Sequence, residues 1–314
     1  GVAGMGGGEG ESPKRDERKV THGPVMERRR TPSHAGTDRA AQQGGGDLHE
    51  ASSNIGSWQS SQRTALSGSV QLLKPRALGL TFVADVENHS VQVLRADGSH
   101  IRRLGMLGKD PGNYNSLQGI ACNHEAGLLF VSDTCNHRVQ VLSFHRSDAS
   151  DIKLLKVIGE RFGSAPGEMA YPTGLAIDLE QQTLVVADTG NDRIQIFTQD
   201  GELLLVVGAA GRHPTNQAGM PLFHNPCDVV ISQGLIWVLD EGNNRIQVIT
   251  DTGEHVREIG SVGTKLGQFL RPRQMMACPG GIILVADQDE ARVQLLIPEY
   301  DLHGKPQFRW TRVR

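Results

Sequence analysis

Apolar residues enter this chain in short, β-branched bursts separated by Gly, Asn or Asp. One run shows the arrangement. Bursts at 174–178, 183–188, 193–197 and 202–207 are divided by a polar turn at 179–182, by Thr189-Gly190-Asn191 and by Gln199-Asp200-Gly201. Each burst is strand-length, and the pairs Asp97-Gly98 and Asp200-Gly201 suit tight hairpins. No window of about ten residues carries a 3.6-residue apolar period, so the pattern predicts strands and no helices.

The four-burst unit recurs. Its second and third bursts flank one phrase: an apolar run, Asp, two variable residues, Asn, any residue, Arg, then apolar-Gln-apolar. The anchors are Asp85, Asp133, Asp188, Asp240 and Asp287, spaced by 48, 55, 52 and 47 residues. A period near 50 marks a repeat architecture. Four antiparallel strands per repeat predict an all-β fold, a β-propeller with five visible blades between 68 and 314. The first blade is expected to take 70–73 as inner strand and 78–85 as the second, and the last to take 305–313 as outer strand. Residues 1–67 are too poor in β-branched residues to add a blade. The ring therefore either closes with five blades or takes a sixth from upstream.

The phrase has a physical logic. Asp ends the second strand, Asn opens the turn and tolerates positive φ, and Arg reaches back to the Asp in a fork-shaped pair. The predicted turn clamps are Asp85 with Asn88; Asp133 with Asn136 and Arg138; Asp188 with Asn191 and Arg193; Asp240 with Asn243 and Arg245; and Asp287 with Arg292. Ser90 stands where the first copy lacks its Arg, and Glu290 where the fifth lacks its Asn, so these terminal blades are predicted to have weaker clamps. The following apolar-Gln-apolar run sends its Gln to the opposite sheet face. A calcium site is not indicated, because no loop stacks carboxylates at ligand spacing.

Composition agrees with turn-rich β structure: 38 of 314 residues are Gly, and aromatics make up 4%. Residues 1–67 form a Gly-, Ser- and charge-rich tail whose apolar content is too low to offset its ordering entropy, so disorder is expected there. The run Arg28-Arg29-Arg30 is diluted by interleaved acids and reads as part of a solvated mixed-charge tail. Cys122, Cys135, Cys227 and Cys278 lie far apart and read as reduced thiols; a cytoplasmic setting is expected. No run of about 18 apolar residues predicts a membrane span. The chain starts at Gly1 rather than Met, so a longer protein is expected.

The phrases Asp188-Thr189-Gly190-Asn191-Asp192-Arg193-Ile194-Gln195 and Asp240-Glu241-Gly242-Asn243-Asn244-Arg245-Ile246-Gln247 resemble NHL repeats. So do the linkers from Gly163 through Pro166-Gly167-Glu168 to Pro172-Thr173-Gly174, and from Gly263 through Gly267-Gln268-Phe269 to Pro272. The resemblance implies a propeller, often six-bladed, used as a platform for protein or RNA partners. Such propellers often end RING-type ubiquitin ligases. No RING cysteine ladder stands in this chain, so the resemblance implies at most substrate recruitment.

In a propeller the loop entering each inner strand and the loop joining the second and third strands share one face. Gln118, Thr173, Cys227 and Arg273 occupy the entry positions of the last four blades, differ from copy to copy, and are the predicted binding positions. A protein partner is expected. RNA is the alternative, disfavoured by 23 Lys and Arg against 27 Asp and Glu over residues 71–314, although Arg271 with Arg273, and Arg102 with Arg103, make small basic spots. A third class is a zinc enzyme resembling peptidyl-hydroxyglycine amidating lyases. His224 sits at a sensible ligand position, but the equivalent entries hold Gln118, Thr173 and Arg273 rather than His. No catalytic residue, metal or cofactor is expected.

Overall fold

The computed structural model describes residues 70–73, 79–145, 148–159, 161–300 and 306–312. All of these lie within the unit Thr64–Arg314. The expected disorder of residues 1–67 lies outside the described residues, apart from the question of where the first blade begins.

The described residues form five four-stranded antiparallel sheets. The first holds β1 (Val70–Leu73), β2 (Thr81–Asp85), β3 (Ser90–Leu94) and β4 (His100–Leu104). The second holds β5 (Leu117–Asn123), β6 (Leu128–Asp133), β7 (Arg138–His145) and β8 (Asp148–Ile158). The third holds β9 (Pro172–Asp178), β10 (Thr183–Asp188), β11 (Arg193–Thr198) and β12 (Leu203–Val207). A parallel pair, β13 (Ala209–Ala210) and β14 (Leu222–Phe223), then leads to the fourth sheet of β15 (Pro226–Ser232), β16 (Leu235–Asp240), β17 (Arg245–Ile249) and β18 (His255–Ile259). The fifth holds β19 (Pro272–Ala277), β20 (Ile283–Asp287), β21 (Arg292–Tyr300) and β22 (Pro306–Arg312). This is the blade pattern of a β-propeller. The second strand of the first blade starts at Thr81 rather than at 78.

Side chains alternate across each sheet, so the central strands of the second, third and fourth blades each feed two cores. In β10, Leu184 and Val186 join a cluster with Phe130 and Val141 of the second blade, while Val185 and Ala187 join one with Val229 and Val238 of the fourth. Among the described residues four apolar clusters join the five blades, one at each junction from first to fifth. Beyond the fifth blade the alternation continues without such a cluster. Leu284, Ala286, Val293 and Leu295 face away from the fourth blade and are half-buried, whereas their counterparts Trp237, Leu239, Ile246 and Val248 in the fourth blade are buried.

One plug residue closes each junction: Tyr114, Met169, Phe223 and Phe269, all fully buried. The chain must pass tightly over it. Gly105 and Gly260 do so with φ of 78° and 96°, and a Cβ on either would sit 2.5 Å from the Tyr114 or Phe269 ring. Only glycine fits both the backbone and the space.

Candidate interaction face

The repeated phrase builds one polar device per blade. In the third blade Asp188 is fully buried at the end of β10. Its Oδ1 accepts the Ala170 N–H at 2.7 Å, from the loop that enters the same blade. Its Oδ2 accepts Arg193 Nε at 2.7 Å, Asn191 Nδ2 at 2.9 Å and Gln195 Nε2 at 3.0 Å. The remaining guanidinium donors reach the carbonyls of Ser164, Ala165 and Glu168. One carboxylate thus ties the turn between second and third strands to the loop arriving from the previous blade.

The fourth blade repeats this with Asp240, Asn243, Arg245 and the His224 N–H. The second uses Asp133, Asn136, Arg138 and the Asn115 N–H. In the first, Asp85 keeps Asn88 and Gln92, with Ser90 at the Arg position. In the fifth, Asp287 keeps Arg292 and accepts the Leu270 and Arg271 N–H groups. Two details differ from the sequence reading. In the second to fourth blades Arg meets its Asp through Nε alone, because its other donors satisfy loop carbonyls. The Gln of the apolar-Gln-apolar run is buried and belongs to the device.

Burial of Asp240 pushes its carboxyl up, opposed by the donors of Asn243, His224 and Arg245. A lone buried carboxylate is far costlier than one so surrounded.

The residue between Asn and Arg reads as variable in sequence, yet it has a fixed duty in three blades. His89, His137 and Asp192 all sit at positive φ, at 50°, 58° and 52°. Each accepts a backbone N–H from the entry loop of the next blade: His89 Nδ1 from Ser116 at 2.8 Å, His137 Nδ1 from Tyr171 at 3.1 Å, and Asp192 Oδ1 from Asn225 at 2.7 Å. The sequence signal was weak, since His, His and Asp share only an acceptor.

These turns and entry loops define one face. The predicted positions Gln118, Thr173, Cys227 and Arg273 are each the second residue of an inner strand. They are not equally accessible. Gln118 is exposed and Arg273 half-buried, but Thr173 and Cys227 are buried. Thr173 Oγ1 donates to the Cys227 carbonyl at 2.8 Å, and Cys227 Sγ lies 3.6 Å from the Pro272 and Arg273 carbonyls. Both side chains are spent on the neighbouring blade, which corrects their placement among accessible positions. Burial holds the Cys227 thiol well above its usual range and raises Cys122 to about 12.

The basic spots also dissolve. Arg273 pairs with Glu241 at 3.0 Å, and Arg271 lies 3.5 Å from the same carboxylate. Arg102 and Arg103 lie on β4, an outer strand. The face also exposes apolar side chains. Leu107, Phe162 and Val262 occupy the same place in three inter-blade loops, each bridging to its plug residue, and all are more than 60% exposed. Around Phe162 an aromatic cluster forms: His137 lies 4.6 Å from Phe162 and 4.5 Å from Tyr171, itself 48% exposed.

His224 does not meet partner ligands: its Nδ1 lies 3.7 Å from Asp192, and among the described residues no three His, Cys, Asp or Glu converge to hold a metal. Among them, too, no helix is long and apolar enough to cross a membrane.

The NHL repeat family matches residues 114–142, 169–197 and 223–249, the heart of the second, third and fourth blades. Those three stretches are NHL repeats, each set within one blade of the propeller. The NHL-repeat chain is similar to Protein brain tumor of Drosophila melanogaster, 34% identical over 118 residues, covering 36% of this chain and 11% of that protein. It is similar to E3 ubiquitin-protein ligase TRIM32 of Homo sapiens, 30% identical over 157 residues, covering 47% and 22%. NHL repeat-containing protein 2 of Homo sapiens is 29% identical over 101 residues, covering 31% and 14%. The matches thus span between about a tenth and a fifth of these relatives' lengths. Among solved structures, a putative 6-phosphogluconolactonase from Bacteroides uniformis superposes with a TM-score of 0.53 at 14% identity, over 76% of this chain and 70% of that one. A streptogramin B lyase gives 0.51 at 13%, over 74% and 66%. Identities this low speak to fold alone.

Proposed function

We propose that the NHL propeller is a non-catalytic platform that holds a protein partner on the face built by its turns and entry loops. The observation that carries this is the exposed aromatic cluster of Phe162 and Tyr171 around His137, with Leu107 and Val262 repeating the apolar position on neighbouring blades. Apolar and aromatic groups held on a rigid frame supply the desolvated centre that protein partners bury. Gln118 and Arg273 add polar contacts at the inner strands. Recruitment of a substrate for ubiquitin ligation is the finer reading, motivated by the likeness to a ubiquitin ligase. A cytoplasmic setting fits the four free cysteines.

The test is a double substitution, Phe162→Ser with Tyr171→Ser. Both side chains are exposed, so the melting temperature should hold while capture of a purified candidate partner falls about tenfold or more. Unchanged capture would move the docking surface elsewhere. RNA is the second reading, favoured by the same aromatic cluster, which offers stacking faces. It predicts a steep fall of affinity with salt. The acidic balance and the engagement of Arg271 and Arg273 by Glu241 oppose it.

A further inference from the structure

The aromatic cluster is held together by a group that titrates near neutrality. A backbone N–H is only a donor, so the Tyr171 amide at 3.1 Å requires a lone pair on His137 Nδ1. The imidazole is therefore neutral there, with its proton on Nε2. Protonation would set an N–H against an N–H and break the contact. The same ring packs against both Phe162 and Tyr171, so the loss is felt by the whole cluster.

The surroundings decide when this happens. Facing His137 from its own turn is Asp133, paired with Arg138; from the third blade come Asp188, paired with Arg193, and the Tyr171 ring; the inter-blade loop contributes the uncharged ring of Phe162. Partial burial favours the neutral ring and outweighs the pull of the two carboxylates, so His137 titrates below the usual histidine range. The latch is fully present above the unfolded-state value of about 6.5 and is lost as pH falls through the lower folded-state value.

We propose that His137 is a proton-operated latch on the docking face: neutral, it assembles the Phe162–Tyr171 cluster; protonated, it releases the entry loop of the third blade and takes the cluster apart. The inference rests on the reading of this face as the docking surface. The molecule carries its own comparison. At the next junction the same duty falls to Asp192 Oδ1 on the Asn225 amide, a carboxyl oxygen, which keeps an acceptor lone pair that a doubly protonated imidazole does not. In the fourth blade the equivalent residue is Asn244, also at positive φ. Asn244 Oδ1 has no hydrogen-bond partner among the described residues, so the fourth blade shows only that Asn suits this backbone; in His137→Asn the amide oxygen would stand near the place of Nδ1 as an acceptor with no proton to gain.

The experiment is amide hydrogen exchange on the whole chain at about pH 7.5 and about pH 5.5, each rate divided by its intrinsic value. In the wild type the protection of the Tyr171 amide should fall about tenfold or more on acidification, while that of Asn225 holds. In His137→Asn the Tyr171 amide should keep its protection at both pH values. Equal protection of Tyr171 at both pH values in the wild type, or equal loss in His137→Asn, overturns the latch. Imidazole nitrogen shifts of the wild type provide a check that needs no variant: His137 protonated on Nδ1 at about pH 7.5 would also overturn it. Partner capture with Phe162→Ser and Tyr171→Ser at the higher pH tests the docking reading separately, so each idea fails on its own measurement.

Discussion

The third and fifth blades are built from the same phrase and live in different surroundings. In the third, Asp188 gathers Arg193, Asn191, Gln195 and an incoming amide, and both sheet faces are sealed by neighbours. In the fifth, Glu290 replaces the Asn, and the face bearing Leu284 and Leu295 is half-buried. The joints differ as well. Gly174 lets β9 lie directly on the Asp228 backbone, while β15 reaches β19 through the Asp228 carboxylate, which accepts the Met275 N–H at 2.7 Å. A repeat thus specifies the interior of a blade, and its neighbours decide how much each residue contributes.

The largest expected effect lies in the third-blade turn. Arg193→Ala removes the charged partner of a buried carboxylate and takes one donor from each of three loop carbonyls, of which Glu168 keeps Gln195 and Ala165 keeps the Glu168 N–H. It should cost about 3–5 kcal/mol in urea unfolding. A loss below about 1 kcal/mol would put this turn on a level with that of the first blade, which has Ser90 in the same place.

Next comes the joint between the fourth and fifth blades. Asp228 is buried, and burial raises its carboxyl to about 7 despite the Met275 and Val229 amides. The folded chain therefore keeps this proton longer than the unfolded chain, whose reference is 3.8. Stability should fall as pH rises from about 4 to about 7, by up to about 4 kcal/mol, and no further above that. Asp228→Asn should remove that slope, read from unfolding midpoints across the range. A variant with the wild-type slope would assign the pH dependence to another group.

The sheet faces give a smaller contrast. Ile196→Ala should cost about 3 kcal/mol, and Leu295→Ala about 1 kcal/mol, because the latter side chain is already partly in water. Equal losses would mean that the fifth blade's outer face is as closed as the third's. The smallest effect is a gain. Tyr114 holds the plug position filled elsewhere by Phe223 and Phe269, and its buried hydroxyl has no hydrogen-bond partner among the described residues. Burial pushes the phenol above its usual range. Tyr114→Phe should raise stability by about 1 kcal/mol in the same assay.

What was legible in the sequence was local. The period, the strands of the third blade, and the association of Asp188, Asn191 and Arg193 all follow from residues within one turn of chain. What was hidden depends on where the next blade lands. Thr173 and Cys227 vary between copies as docking residues do, but their side chains face the adjacent inner strand. His137 and Asp192 look interchangeable with anything, since the amides they hold lie 34 and 33 residues away. The exposed series Leu107, Phe162 and Val262 was within reach, because an apolar residue recurs just before the glycines at 108, 163 and 263 in otherwise polar linkers.

The turn device draws its partners from nearby chain: Asn191 is three residues from Asp188, and Ser164 is 29 from Arg193. Every bond of that device can therefore form once a single blade and its leading loop have left the ribosome. Such short loops close on the sub-microsecond scale, far faster than residues are added. Vectorial synthesis then sets the blades one after another, each new sheet settling on a finished surface instead of searching for distant strands.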